Sequence, residues 1–362
     1  MRCGAHLVAK ILGPFLLALV AVTACAPRVA PDGGIDAATA RVTDDTLRMP
    51  DGARLPLHVW PARRDGDEGP DAVILGVHGF NDYGMGLDLA ASYFAANDIT
   101  VYAYDQRGFG AAPNRGIWPG ERRLTRDFRH AVTLIKARHP NVPVHVLGVS
   151  MGGAVVLATA ERGRFPDVDG IILSAPAVWA RETMPFYQRW ALWLGAHTLP
   201  WLTLTGEGLD RYPTDNMIAL RRLSLDPKVI KATRIDAMHG LVNLMDRAFN
   251  AADSLPAPAL VLYGDNDEIV PAAPTRRFWS RLADRDGIRK ALYPEGWHML
   301  LRDRQAYTVW RDIRSWMRDP TAPLPSQADA DAFARLSGED ATRSAAREDG
   351  GSAPTGADRA PD

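Results

Sequence analysis

Ser150 stands in Gly148-Val149-Ser150-Met151-Gly152, after the apolar β-like run 142–147 and before the helix-compatible run 153–160. A hydroxyl at the apex of a strand–turn–helix, flanked by small residues, is placed to act as a nucleophile. The turn strains the serine backbone, and the glycines let strand and helix crowd together. The helix N-terminus favours negative charge developing beside the hydroxyl. A glycine-rich turn with an ordinary serine is the plainer reading, and it asks nothing of the rest of the chain. The nucleophile reading asks for a base, an acid and donors for an oxyanion.

A serine hydroxyl is a poor nucleophile until its proton is removed, and imidazole removes it near neutral pH. When a serine sits on such a turn, the order along the chain is serine, acid, histidine, so the base lies late. His298 fits, because Tyr293-Pro294-Glu295-Gly296-Trp297-His298 follows a strand-like run and precedes the last helix. The other histidines have plainer places: His58 and His145 in strands, His130 and His139 at a surface helix, His197 and His239 before residue 255. For the acid, Gly264-Asp265-Asn266-Asp267-Glu268 offers three carboxylates after the run 259–263. Asp267, just before the apolar turn Ile269-Val270-Pro271, is chosen to orient the imidazole and stabilise its charged form. Asp265 then closes the turn as a local cap, and Glu268 faces solvent. Met151, next after the serine, supplies one backbone N–H to the oxyanion.

These residues need a scaffold that brings them together. From about Thr46 to Met317 strand-like and helix-like stretches alternate, which predicts an α/β fold with a mostly parallel sheet and helices on both faces. Strands are expected over 46–49, 54–61, 72–77, 100–104, 144–149, 170–174, 259–263 and 289–293. Helices are expected near 87–96, 124–138, 153–160, 274–282 and 306–317. Residues 178–255 interrupt the pattern without a convincing strand and carry Trp179, Trp190, Trp193 and Trp201. They read as an inserted helical cap. Trp190, Trp193, Leu194 and His197 share one helical face, either packed on the sheet or forming a lipid-facing mouth.

The two ends read differently. Arg2 and Lys10 precede the apolar run 11–22, which has signal-peptide length and is too short to span a bilayer. Val22-Thr23-Ala24-Cys25 resembles the bacterial lipobox, which implies that Cys25 becomes the first mature residue and carries the acyl chains of a lipoprotein. A plain secretory signal containing Cys25 is the alternative. Cys3 falls in the removed segment, so the mature chain has one cysteine and no disulfide. Ala26, not Asp, follows Cys25, which fits sorting to the outer membrane and a place in the bacterial cell envelope. The expected division is therefore 1–24 signal peptide, 25–45 tether, 46–319 folded domain with the cap at about 178–255, and 320–362 disordered tail. A short helix near 331–336 is allowed for. The tail is rich in Ala, Asp, Arg, Ser, Gly and Pro, too polar to offset ordering. Net charge of −1 gives no electrostatic footprint for nucleic acid. Neither an H-E-x-x-H run nor a cysteine pair calls for a metal, and no cofactor is implied.

Taken in order, His78-Gly79, Asp105-Gln106-Arg107-Gly108-Phe109-Gly110, Gly148-Val149-Ser150-Met151-Gly152-Gly153, Gly264-Asp265-Asn266-Asp267 and Trp297-His298 resemble the α/β-hydrolases. The nearest likeness is to the monoacylglycerol lipase and lysophospholipase group, over roughly 47–317. Arg222-Leu223-Ser224-Leu225-Asp226-Pro227 looks like part of that group's cap. Val149 and Gln106 depart from it, since the group usually has His at both positions; neither supplies the core chemistry. The resemblance implies that the loop His78-Gly79-Phe80-Asn81-Asp82 lends the Phe80 N–H as second oxyanion donor, with His78 bracing the loop. It also implies hydrolysis of a carboxylic ester of a single-chain lipid through an acyl-enzyme on Ser150. Two alternatives stand beside it. A prolyl aminopeptidase-like enzyme would need cap carboxylates, for which Glu182, Glu207 and Asp210 are candidates. A non-catalytic surface lipoprotein would use the fold only to bind.

Overall fold

The structure, a computed structural model, describes residues 26–31, 39–63, 69–163, 165–206, 208, 211–282 and 285–338. The expected signal peptide, Cys25, Glu207, Asp210 and the last part of the expected tail lie outside the described residues. Eleven strands are described: β1 (Arg41–Val42), β2 (Thr46–Arg48), β3 (Arg54–Trp60), β4 (Ala72–Val77), β5 (Ile99–Tyr104), β6 (Val144–Val149), β7 (Gly170–Ser174), β8 (Thr203–Thr205), β9 (Ala232–Arg234), β10 (Ala259–Gly264) and β11 (Ile288–Tyr293). Nine form one sheet in the order β1-β2-β3-β5-β4-β6-β7-β10-β11. Pairing is parallel from β5 through β11, and antiparallel among β1, β2, β3 and β5.

The sheet buries both faces, and the two-residue period of each strand divides its side chains between two cores. Val73, Leu75 and Val77 of β4 enter one core, while Ala72 and Ile74 enter the other. Strand β10 does the same with Val261 and Tyr263 on one side and Leu260 and Leu262 on the other. This is why these strands read as unbroken apolar runs rather than alternating ones.

Eight helices lie wholly within the described residues: α1 (Asp88–Ala95), α2 (Glu121–Arg138), α3 (Met151–Glu161), α4 (Phe186–Thr198), α5 (Met217–Leu225), α6 (Ile235–Asn250), α7 (Ala272–Arg281) and α8 (Ala306–Arg318), and residues 332–338 are helical too. Residues of α1 and α8, among them Phe94, Ile313 and Trp316, fill one core. Residues of α2, α3, α6 and α7, among them Phe128, Val155, Leu244 and Trp279, fill the other.

Three boundaries differ from the sequence reading. The tether expected at 25–45 is packed on the body where it is described: Ala30 donates its N–H to the Trp118 carbonyl at 2.9 Å, Arg123 donates to the Ala30 carbonyl at 2.6 Å, and β1 pairs with β2. The tail expected to be disordered from Pro320 is ordered through residue 338. Leu324, Ala328, Ala332 and Leu336 are buried at a spacing of four, and Arg335 donates to the Leu292 carbonyl at 2.7 Å. That stripe is diluted when composition is averaged over the whole tail. The cap is shorter than 178–255 and not wholly helical. Helix α6 presents Val242, Leu244, Met245, Ala248 and Phe249 to the sheet-side core, so it belongs to the helix layer. What remains, roughly 178–234, holds α4, α5 and the antiparallel pair β8–β9.

Candidate active site

At the end of β6 the chain turns sharply into α3, and Ser150 takes φ 51° and ψ −113°. This left-handed backbone costs a non-glycine residue energy and persists only where its surroundings enforce it. Two glycines permit the enforcement. A Cβ on Gly152 would lie 2.0 Å from the Val77 carbonyl oxygen, and one on Gly148 would lie 2.8 Å from Gly153. The Ser150 N–H donates to the Ser174 carbonyl on β7 at 3.0 Å, and its own carbonyl accepts from Ala154 and Ala177. The hydroxyl is held at the edge of the sheet by neighbours on three elements.

His298 arrives on the loop between β11 and α8. Its Nε2 lies 2.9 Å from the Ser150 Oγ, and its Nδ1 lies 2.8 Å from an Asp267 carboxylate oxygen. The other oxygen of Asp267 accepts the N–H groups of Ile269 and Val270, at 2.8 and 2.9 Å. With both oxygens engaged, the carboxylate has one orientation, and the imidazole proton on Nδ1 follows from it. Nε2 then faces the hydroxyl as an acceptor. Asp267 and His298 are buried while Ser150 is half-buried, which leaves the reacting oxygen open to substrate. The structure thus brings together three residues far apart in the sequence.

Met151 is the first residue of α3. The loop after β4 passes directly over the serine: a Cβ on Gly79 would lie 3.4 Å from that of Ser150. Phe80 follows, with its ring turned onto Phe109 and Trp118, at centroid distances of 5.6 and 6.4 Å. The amides assigned to the oxyanion therefore belong to two segments that converge on Ser150. His78 braces this loop. Its Nε2 accepts the Gln106 N–H at 2.9 Å, so Nδ1 carries the proton donated to the Gly79 carbonyl at 2.8 Å. Burial pushes its pKa down, consistent with a neutral ring fixed in one tautomer. Gln106, where the resembling group usually has His, donates its amide to the His78 carbonyl at 2.8 Å.

Sequence reading missed how the cap is tied to these loops. Glu268, expected in solvent, accepts the Tyr212 N–H at 2.7 Å, because the segment 211–216 runs across it. The same segment reaches the histidine loop, where Met299 donates to the Pro213 carbonyl at 2.8 Å. Asp303 is buried there, accepting the Thr214 hydroxyl at 2.7 Å and the Trp297 N–H at 2.8 Å. Burial pushes its pKa up to about 6. On the oxyanion side, Asn81 donates to the Thr233 hydroxyl at 2.6 Å and accepts the Ile230 N–H at 2.9 Å. Tyr83 donates to Asp226 at 2.7 Å. An Asp five residues beyond the histidine and a short polar run after His78 were visible, but nothing in one sequence says what they touch.

A mostly parallel sheet with helices on both faces, an elbow serine, and a late histidine backed by an aspartate define a serine α/β-hydrolase. The match to known proteins narrows this: residues 68–305 fit the family described as serine aminopeptidase, S33, and the chain belongs to it. Its relatives include the monoacylglycerol lipase of Mycolicibacterium smegmatis, 30% identical over 283 residues, covering 74% of this chain and 93% of the relative. The monoglyceride lipase of Mus musculus is 28% identical over 260 residues, covering 68% and 82%. In fold, the chain is similar to a soluble variant of the Saccharomyces cerevisiae monoglyceride lipase in complex with a substrate analog. That likeness has a TM-score of 0.65 at 21% identity and covers 81% of this chain and all of the other. The protein is an ester hydrolase of the monoacylglycerol lipase-like group.

Proposed function

We propose that the protein hydrolyses the carboxylic ester of single-chain lipids, a monoacylglycerol or a lysophospholipid, through an acyl-enzyme on Ser150. The observation that carries the mechanism is the unbroken chain from Asp267 through His298 to the Ser150 hydroxyl. The Oγ attacks the ester carbonyl as Nε2 takes its proton, and the carbonyl electrons move onto the oxygen facing the Phe80 and Met151 amides. Collapse breaks the bond to the alcohol, which leaves with the proton from Nε2. A water then gives its proton to Nε2, attacks the acyl carbon, and the fatty acid departs as Ser150 regains its hydrogen. The lipid substrate is supported by the relatives' activity. A second support is the cap, whose half-buried Trp179, Met184 and Leu192 pack on the apolar cluster containing Met151.

The family description keeps an aminopeptidase in view. Among its candidate carboxylates only Glu182 is described, exposed in the short turn Arg181–Thr183. The lipobox-like Cys25 supports a lipid-anchored protein of the bacterial envelope, with Ala26 favouring the outer membrane. The deciding experiment compares turnover of monoacylglycerols, lysophospholipids and amino-acid anilides, with a fluorophosphonate probe on wild type and Ser150→Ala. Labelling lost in the variant and turnover of the lipid esters support the reading. Preference for anilides, or for acetate esters over medium and long chains, removes it.

A further inference from the structure

The cap meets the body of the protein along a cleft that the mechanism leaves unused. One face of α5, bearing Ala219, Arg222, Leu223 and Asp226, looks across at the turn 84–87 and the start of α1, and between them lies a cavity of about 200 Å³. Junctions of this kind are where small ligands settle. Ser150, Met151, Phe80 and His298 are not in its walls, yet it lies beside their loops. Asp82 in its wall is two residues beyond Phe80 and Arg302 four beyond His298, a chain reach of at most about 7 and 14 Å.

Most charges in the cleft already have partners. Asp82 pairs with Arg302, which also donates to the Gly86 carbonyl at 2.6 Å. Asp226 accepts the Tyr83 hydroxyl at 2.7 Å and the Lys228 N–H at 2.8 Å. Two groups are left over. Asp88 accepts the Trp60 ring N–H at 3.0 Å on one oxygen, and the other takes no donor among the described residues. The exposed Arg222 guanidinium has no hydrogen-bond or ion-pair partner among them. Met85, Leu89, Leu223 and Val229 supply the apolar wall. One free acceptor, one free fork of donors and an apolar wall suit a neutral group whose hydroxyls both donate and accept and whose other face is C–H. A phosphate there would meet Asp88 and Asp226, and an ammonium would meet Arg222, so neither charge is favoured.

An aromatic shelf continues the cleft. One helical turn beyond Leu89, Tyr93 meets Tyr307 edge-on at 5.5 Å and Trp310 at 5.5 Å, and Tyr307 is 60% exposed. A sugar ring lays its C–H face on such a ring while its hydroxyls stay in water. We propose that cleft and shelf form a sugar site. Arg222 donates to the hydroxyls of one hexose and Asp88 accepts from them, Leu89 takes its C–H face, and a following unit stacks on Tyr307. The hexoses come from one of two sources, the glycosyl head of a single-chain lipid ester or a free glycan chain. The first deepens the hydrolase reading and rests on it, because the sugar then hangs from the alcohol that leaves Ser150. The second stands without it.

The test uses the full chain, as wild type and with Arg222→Ala combined with Tyr307→Ala. Neither side chain bonds to the catalytic loops, so the double variant should keep the melting temperature and hydrolyse a soluble short-chain ester as before. Cellotriose is titrated calorimetrically, and turnover of monooleoylglycerol is compared with that of its glucosyl derivative. Loss of the charged donor and the ring is expected to weaken sugar recognition about tenfold or more. Cellotriose binding that the double variant weakens supports the site and assigns it to a free glycan. A lower KM for the glucosylated lipid, lost in the double variant, supports it and assigns it to the lipid head. Absence of both effects, or sugar recognition that the double variant leaves untouched, overturns the site and leaves the Ser150 chemistry standing. Tighter binding of glycerol 3-phosphate or ethanolamine than of either sugar probe overturns it too. Cellotriose binding without turnover of any ester sinks the hydrolase reading and keeps the site.

Discussion

Two regions meet at Ser150, and they are built on different terms. On the sheet side, strands β4, β6 and β10 are buried almost throughout, and both oxygens of Asp267 are engaged. On the cap side, α4 buries only Ala196 of its thirteen residues, whereas α6, one layer down, buries nine of sixteen. The cap rests on the core through a few half-buried apolar residues, Trp179, Met184, Leu192 and Ile230, and polar contacts tie its rim to the oxyanion, acid and histidine loops. Rigidity for the chemistry comes from packing. Registration of the cap over that chemistry comes from a few hydrogen bonds.

The contrast predicts where substitutions hurt most. His298→Ala should lower kcat/KM by about 10⁴-fold or more while leaving the melting temperature nearly unchanged, because the loss is of proton transfer and not of packing. Steady-state kinetics alongside calorimetry separate the two. Gly152→Ala is the reverse case. Its methyl would meet the Val77 carbonyl at 2.0 Å, and backbone must move, so a loss of about 3 kcal/mol or more of stability is expected. Denaturant unfolding measures it, and a variant as stable as wild type would show that the elbow is not set by this contact.

The rim contacts should show intermediate effects. Asp303→Asn keeps an acceptor oxygen for one of the two donors and sets an amide nitrogen against the other, Thr214 or Trp297, so kcat is expected to fall about tenfold at pH 7.5 with KM little changed. The group also carries a pH signature. Its pKa rises from 3.8 to about 6 in the folded protein, so the native state holds the proton more tightly than the unfolded chain. Its stabilising contribution is present below about pH 4 and is lost as pH rises through about 6. Wild type should therefore lose on the order of 2 kcal/mol relative to Asp303→Asn between pH 4 and 7. Parallel curves for the two proteins would refute the assignment. Thr233→Val, which removes the hydroxyl that Asn81 grips, should cost about 1 kcal/mol and lower kcat several-fold. An effect confined to KM would mean that the contact orders the cap and not the oxyanion loop.

Much of the sheet side was legible because its constraints are local. Strands buried on both faces leave apolar runs, and the elbow demands small residues beside Ser150. A histidine between the last strand and the last helix has few other reasons to be there. The cap side was legible only in part. Strands β8 and β9 are three residues each, shorter than any periodic signal, and β9 runs directly into α6. The apolar face of α6 looks the same whether it packs on the sheet or on the cap. Asp303 and Asn81 are ordinary polar residues whose partners lie 89 and 152 positions away. After Pro320 the short helix allowed for near 331–336 is present at 332–338, and the rest of the ordered stretch was hidden by the composition of the tail that follows it.

The smallest expected effect is the sharpest check on the difference between the two regions. Trp193→Ser removes a ring that is 50% exposed and stacks on His197 at 4.7 Å. A buried tryptophan elsewhere in this fold, such as Trp279 or Trp316, fills a core, and its truncation should cost about 3–5 kcal/mol. Trp193 has no such cavity to leave, so its loss in detergent-free solution should change stability by no more than about 0.5 kcal/mol. Thermal melts of Trp193→Ser and Trp316→Ala side by side measure the ratio directly. A large loss in Trp193→Ser would mean that α4 is held by its own packing, and the account of the cap as a polar-rimmed lid over a rigid site would have to be given up.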